Sequence, residues 1–208
     1  MALTATLKIT VTSPNIACGG RLVYIVGPSG AGKDSVITAA KAMVNKNKFL
    51  YFSRRYVTRI SVSDKDDLPI STFAFAHYRQ SGFFALDWDA HGFSYGIPAA
   101  INKPLRGGLT VVVNGSRAHL PAALAKYPAM TVVHVSVPPQ VAHARLIARG
   151  REDAAAIDER IHRTPPLELP PEQLVTIDNS GALDCAGRAL ADVLLGHGVT
   201  PAHDGTVV

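Results

Sequence analysis

A three-layer α/β/α fold around a parallel core sheet is what the sequence predicts, and three observations predict it. The stretch Leu22 to Val44, LVYIVGPSGAGKDSVITAAKAMV, passes from a short apolar run through a glycine-rich turn into an amphipathic helical stretch. Later apolar runs, rich in valine, lead in turn into helical stretches, the alternation expected of a parallel sheet covered on both faces. The length of 208 residues suits one well-buried domain and is short for two.

The elements follow in order. Residues 1–20 read as an N-terminal extension without the charged start and continuous apolar centre of a secretion signal. A single domain is expected over 21–195, and 196–208 read as a C-terminal tail. The turn after the first strand matches GxxxxGK in full, between a strand and a helix, where successive backbone amides and the positive helix end converge on one anion. Gly27, Pro28, Ser29, Gly30, Ala31 and Gly32 then form a phosphate cradle, and Lys33 reaches the β and γ phosphates of a nucleotide, as in the P-loop NTPase fold. The next position ordinarily carries the Ser or Thr that holds Mg²⁺, but here it is Asp34, with Ser35 following. Asp34 or Ser35 is the candidate metal ligand; alternatively Asp34 stabilises the first helical turn by its charge.

Four more runs read as strands: Phe49 to Phe52, Leu109 to Val113, Thr131 to Val137 and Leu174 to Ile177. The last three precede helical stretches near Ala118 to Lys126, Pro139 to Arg149 and Ala182 to Leu195. Two regions break the alternation. From Ser71 to Pro98 a short helix precedes two aromatic-rich runs, Phe83 to Trp88 and Phe93 to Tyr95, which suggests a helix and hairpin within a substrate-binding insertion covering about 54–98. From Arg145 to Arg163 the segment RLIARGREDAAAIDERIHR sets arginines around a glycine break between two helices, the composition of a lid.

Composition narrows the function classes. A formal charge of +5 and pI near 9.4 could attract nucleic acid, but the basic residues are dispersed without an interleaved aromatic stripe, so a small anionic substrate is expected instead. No apolar run approaches the ~20 residues of a membrane helix, and a cytoplasmic location without membrane contact is expected. Cys18 and Cys185 are isolated, with no disulfide framework or zinc site, and Cys185 is expected to pack in a helix as a small apolar residue. The eight histidines show no HExxH spacing, and His134, within VVHVSV, is expected in the core of a strand. No heptad seam is present, which leaves a homodimer open.

With cradle, hairpin insertion and arginine lid in this order, the chain resembles the guanylate kinase superfamily of nucleoside-monophosphate kinases over roughly residues 21–195. GPSGAGKDS, RRYVTR at 54–59, FALDWDAHGFSYGIP at 84–98 and VVVNGSRA at 111–118 are similar to one branch, the ribose 1,5-bisphosphate phosphokinases of bacterial phosphonate use. The resemblance implies transfer of the γ-phosphoryl of ATP, with Mg²⁺, to ribose 1,5-bisphosphate, giving 5-phosphoribosyl 1-diphosphate. GKDS is similar to the loop of this branch. In guanylate kinases a second arginine and a guanine-reading glutamate follow the TR pair. Here Arg59 is followed by ISVSDKDD, which offers neither at that spacing; Asp64, Asp66 or Asp67 is either a substitute for that glutamate or, as a run of acids in a loop, part of a solvated turn. The branch pattern also carries a histidine in this loop that the chain lacks. A guanylate or other nucleoside-monophosphate kinase is the rival reading.

An acceptor with two phosphates calls for cations that pair with their oxygens. Arg55 and Arg59 share one face of an alternating strand, opposite Arg54, and Tyr95 matches the YG tyrosine of guanylate kinases. His91 is either a second phosphate ligand or a turn histidine bonded to its own backbone. Asn114 ends a strand where many phosphate-loop proteins place a metal-holding acid; in the resembled branch NGSR is similar, and Asn114, Ser116 and Arg117 are read as orienting acceptor or water. Asn179 falls where related kinases wrap a loop around adenine. Asn and Ser are also ordinary turn residues. Lys33, Arg149, Arg151 and Arg160 are the candidate catalytic charges, the lid arginines against the alternative of a solvated helix with internal ion pairs. The expected nucleophile, a phosphate oxygen, is already ionised and needs no general base.

Overall fold

A computed structural model describes residues 19–59, 66–149, 167 and 169–197. Strand β1, Leu22–Val26, is buried at every position because parallel neighbours flank it and apolar layers cover both its faces. The core sheet holds five parallel strands in the order β2-β7-β1-β8-β9, with β2 Leu50–Phe52, β7 Thr110–Asn114, β8 Thr131–Ser136 and β9 Leu174–Asp178. The expected parallel α/β sheet is therefore present, and β1 lies at its centre, where its C-terminal end opens into the phosphate loop.

One face of the sheet is covered by α1, Lys33–Met43, and α6, Leu183–Leu195. Val23, Ile25, Val112, Val133 and Val135 meet Val36 and Leu190 there. The two helices approach closely at Gly187, where an added Cβ would lie 2.7 Å from the Ala39 Cβ. Cys185 is exposed, contrary to expectation. It sits in the first turn of α6, whose buried stripe is carried by Ala186, Gly187, Leu190, Ala191, Val193 and Leu194.

On the opposite face Tyr24, Val26, Val111, Val113 and Val132 pack against Leu120 and Ala123 of α4, Leu120–Lys126, and against Leu86, Trp88, Ile97 and Ile101. Three of those last four belong to a second sheet of order β4-β3-β6-β5, built from β3 Arg55–Val57, β4 Asp67–Pro69, β5 Phe84–Ala90 and β6 Phe93–Pro98. The helix and hairpin expected from the sequence are α2, Thr72–Gln80, and the β5–β6 pair. Ser71 caps α2 by accepting from the Ala74 amide at 3.1 Å. His91 and Gly92 close the hairpin with φ of 52° and 76°, both left-handed, as a two-residue turn matching strand twist requires. Short α3, Asn102–Arg106, returns the chain to β7, and α5, Pro139–Arg149, follows β8.

Candidate active site

The phosphate loop takes its shape from local constraints. Gly30 and Gly32 hold φ of 81° and 78°, values that favour glycine. Lys33 Nζ donates to the Gly27 carbonyl at 3.0 Å, folding its ammonium back over the cradle. Asn179, which follows β9 and is 3% exposed, donates from Nδ2 to the Ala31 carbonyl at 2.7 Å. Arg145 of α5 in turn donates to the Asn179 carbonyl at 2.9 Å. Asn179 is thus a brace on the cradle as well as a lining residue of a 310 Å³ cavity shared with Gly32, Ser35, Arg145, Ala148 and Leu183. A second donor of Arg145, Nη1, is buried with no hydrogen-bond partner among the described residues. Sequence reasoning passed over Arg145; its signal was its place four residues before Arg149 at the start of the arginine-rich segment.

Asp34 and Asn114 meet across the site, with Asn114 Nδ2 donating to Asp34 Oδ1 at 2.6 Å. The acid comes from the loop and the amide from the end of β7. Asn114 Oδ1 is buried with no hydrogen-bond partner among the described residues. A carboxylate and an orphaned carbonyl oxygen side by side fit Mg²⁺, which takes oxygen ligands and uses only one or two carboxylates with water and substrate phosphate. Among the described residues no group of three or more His, Cys, Asp or Glu gathers as a metal site.

The acceptor candidates converge on one carboxylate. Asp67, expected in a solvated turn, is instead 4% exposed, because pairing of β4 with β3 carries it beneath the arginines. Arg55 binds it through two hydrogen bonds, Nε to Oδ1 at 2.8 Å and Nη2 to Oδ2 at 3.0 Å, and Arg59 Nη2 lies 3.6 Å from Oδ2. Burial, the largest single influence, would lower the Arg55 pKa, but the hydrogen bonds and charge of Asp67 together with the charges of Asp34 and Tyr95 leave it raised. The Arg55 guanidinium lies 5.1 Å from the Tyr95 ring centre, and Tyr95 stacks on Trp88 at 5.6 Å. Arg54 is exposed. His91 occupies the exposed tip of the hairpin.

Beyond β7, the Ser116 amide donates to Tyr24 Oη at 3.0 Å, and that hydroxyl faces the Ser116 carbonyl at 3.3 Å. Burial pushes the Tyr24 hydroxyl up to about 12, so it stays a donor. Only glycine fits at 115, since an added Cβ would stand 2.1 Å from the Tyr24 ring. Arg117 Nη2 lies 2.6 Å from His134 Nε2. His134 is only half-buried, contrary to the expectation of a core-strand residue, because its side of β8 faces a cavity rather than the apolar layer. Arg149 is the last residue of α5; Arg151 and Arg160 lie outside the described residues.

A phosphate cradle at the centre of a parallel sheet, facing an arginine pair on an inserted sheet, defines a kinase of the P-loop class with a guanylate kinase-like fold. The fold is matched by the guanylate kinase of Anaplasma phagocytophilum, with a TM-score of 0.60, 12% identity and 86% of each chain covered. No family model matches the chain. Curated relatives are specific: the ribose 1,5-bisphosphate phosphokinase of Burkholderia mallei is 48% identical over 177 residues, covering 85% of this chain and 96% of the relative. That of Desulfomicrobium baculatum is 42% identical over 176 residues, covering 84% and 94%. That of Achromobacter xylosoxidans is 39% identical over 182 residues, covering 86% and 95%. The chain belongs to the ribose 1,5-bisphosphate phosphokinase family.

Proposed function

We propose that the chain transfers the γ-phosphoryl group of ATP to the 1-phosphate of ribose 1,5-bisphosphate. A bond forms between γ-phosphorus and a 1-phosphate oxygen, the bond to the β–γ bridging oxygen breaks, and ADP leaves with the electron pair. The products are ADP and 5-phosphoribosyl 1-diphosphate. The cradle of Gly27 to Lys33 holds the ATP phosphates, and adenine occupies the 310 Å³ cavity beside Gly32, Arg145 and Asn179. Asp34 with Asn114 Oδ1, or Ser35, would hold Mg²⁺, which when bound offsets charge on the β and γ phosphates.

The observation that carries the acceptor reading is Asp67. Both its oxygens face Arg55 and Arg59, so its charge is matched by guanidinium partners and it holds the two cations in place on the acceptor side. Tyr95, Ser116 and Arg117 complete the acceptor side. His91 is read as a further acceptor contact at the hairpin tip. Arg149, Arg151 and Arg160 supply the remaining positive charge. No general base is needed, because the attacking phosphate oxygen is ionised near neutral pH.

The partners are small molecules, and no helix among the described residues is long and apolar enough to cross a membrane. Side-by-side assays with ATP and Mg²⁺ test the reading. Formation of 5-phosphoribosyl 1-diphosphate from ribose 1,5-bisphosphate, faster than phosphorylation of GMP, is expected; faster turnover of GMP overturns it.

A further inference from the structure

His134 lies on β8 between Val133 and Val135, both fully buried in the layer beneath α1 and α6. Its own side chain points the other way, onto a 210 Å³ cavity lined by Pro28 of the phosphate loop, Arg117, Ser136, Pro139 and Ala142. Arg117 Nη2 stands 2.6 Å from His134 Nε2. A guanidinium only donates, so Nε2 must be the acceptor and the ring proton sits on Nδ1. Burial, reinforced by the charges of Arg117 and Lys33, holds the imidazole pKa down to about 4. The accepting lone pair is therefore present throughout the neutral range.

We propose that His134 is a positioning residue for the acceptor: its Nε2 fixes the plane of the Arg117 guanidinium beside the phosphate loop, so that the other N–H groups of that arginine meet an acceptor phosphate in a set orientation. The inference rests on the reading of Arg117 as an acceptor contact. A guanidinium recognises a phosphate through a planar fork of donors, and such recognition degrades when the plane can rotate. A histidine that merely filled the strand would have no need of an unprotonated Nε2 aimed at that fork. Leucine, similar in size and apolar, should then replace it without loss.

The test is a double-mutant cycle on the full chain, with steady-state kinetics for both substrates. His134→Leu should raise KM for ribose 1,5-bisphosphate by about tenfold, the effect of one hydrogen bond to a charged group, with KM for ATP unchanged. His134→Gln, whose amide oxygen can accept the same bond, should recover most of that loss. Arg117→Ala and the double variant Arg117→Ala/His134→Leu should be equally impaired. Wild-type constants in His134→Leu, or effects that multiply in the double variant, overturn the proposal. Should His134→Leu fail to fold, ¹⁵N spectra of histidine-labelled wild type at pH 7 decide: an unprotonated Nε2 whose signal moves in Arg117→Ala supports it, and a protonated Nε2, or one whose signal stays put, overturns it. If the wild type prefers another acceptor, the proposed reaction fails, and the same cycle read on that acceptor still judges the coupling.

Discussion

Arg55 reaches Asp67 through two N–H groups while its plane lies over the Tyr95 ring, and only a guanidinium satisfies both demands at once. In Arg55→Lys a single ammonium keeps the charge but loses the fork and the flat contact. KM for the acceptor should rise about tenfold with KM for ATP unchanged. Equal loss in both constants would place Arg55 outside the acceptor pocket. His134 makes a second residue-level prediction. Its pKa of about 4 lies below the ordinary 6.5, through burial first and then Arg117 and Lys33. Between those two values the unfolded chain binds the extra proton and the folded one resists it, so stability is full above pH 6.5 and is lost as pH falls toward 4. His119, shifted downward by burial against the opposing pull of Asp87, acts in the same sense. Melting temperatures measured from pH 7 to pH 4.5 should fall in the wild type and fall less steeply in His134→Gln. Identical slopes would remove His134 from the account. Asp67 was readable only as one of three acids in a loop, and His134 only as a core histidine. An acid in an acid-rich turn and a histidine in a valine strand look structural until pairing with β3 and the cavity behind Pro28 give them neighbours.

Among the elements, core strands could be read because each is a run of apolar residues, and all but β2 lead into a helix, a pattern that depends on nothing distant. β3 was readable only as an alternating strand of arginines, and β4 not at all. Each is three residues long; β4 exists through pairing with β3, and β3 through pairing with β4 and β6, so their evidence lies in register rather than in periodicity. Their pairing carries Asp67 under Arg55, so the part of the site that was hidden is the part made by long-range contact. The turn leaving β7 shows the reverse case, where one local position controls an element's exit. Gly115 carries the chain past Tyr24 with no room for a methyl group, and the Tyr24 hydroxyl holds Ser116 through its main chain. Gly115→Ala must displace either a fully buried tyrosine or the Asn114 to Arg117 turn, at a cost of about 1–3 kcal/mol. At about 2–4 °C per kcal/mol for a chain of this size, the melting temperature should drop by roughly 2–12 °C, with a larger loss of kcat because Asn114 and Arg117 move together. A drop smaller than about 2 °C, the least this cost allows, would show that Tyr24 yields without strain.

At the scale of the whole molecule, the site is assembled where the centre of one sheet faces a second. The cradle belongs to β1 and α1, its brace comes from after β9, the Asp34 partner from the end of β7, and the arginine pair from the inserted sheet. The cradle was readable in full because its residues are consecutive; the brace and the arginine anchor lie far from it in sequence. A ligand bound at such a junction stabilises every element that contributes to it, and that linkage can be measured without turnover. ADP with Mg²⁺ at about 100 times its Kd should add about 2.7 kcal/mol, raising the melting temperature by roughly 5–11 °C. Lys33 contributes little to the apo fold, since its ammonium is bonded to a loop carbonyl at the surface of the cradle rather than buried in either apolar layer. Lys33→Ala should therefore melt within a few degrees of wild type without nucleotide, as a surface change does. It should show no nucleotide-induced rise and no turnover. A variant that keeps the full rise with ADP would separate the cradle from nucleotide binding. One that melts far lower on its own would make Lys33 a structural residue, because the charge would then be needed to hold Gly27 and the loop together before any phosphate arrives.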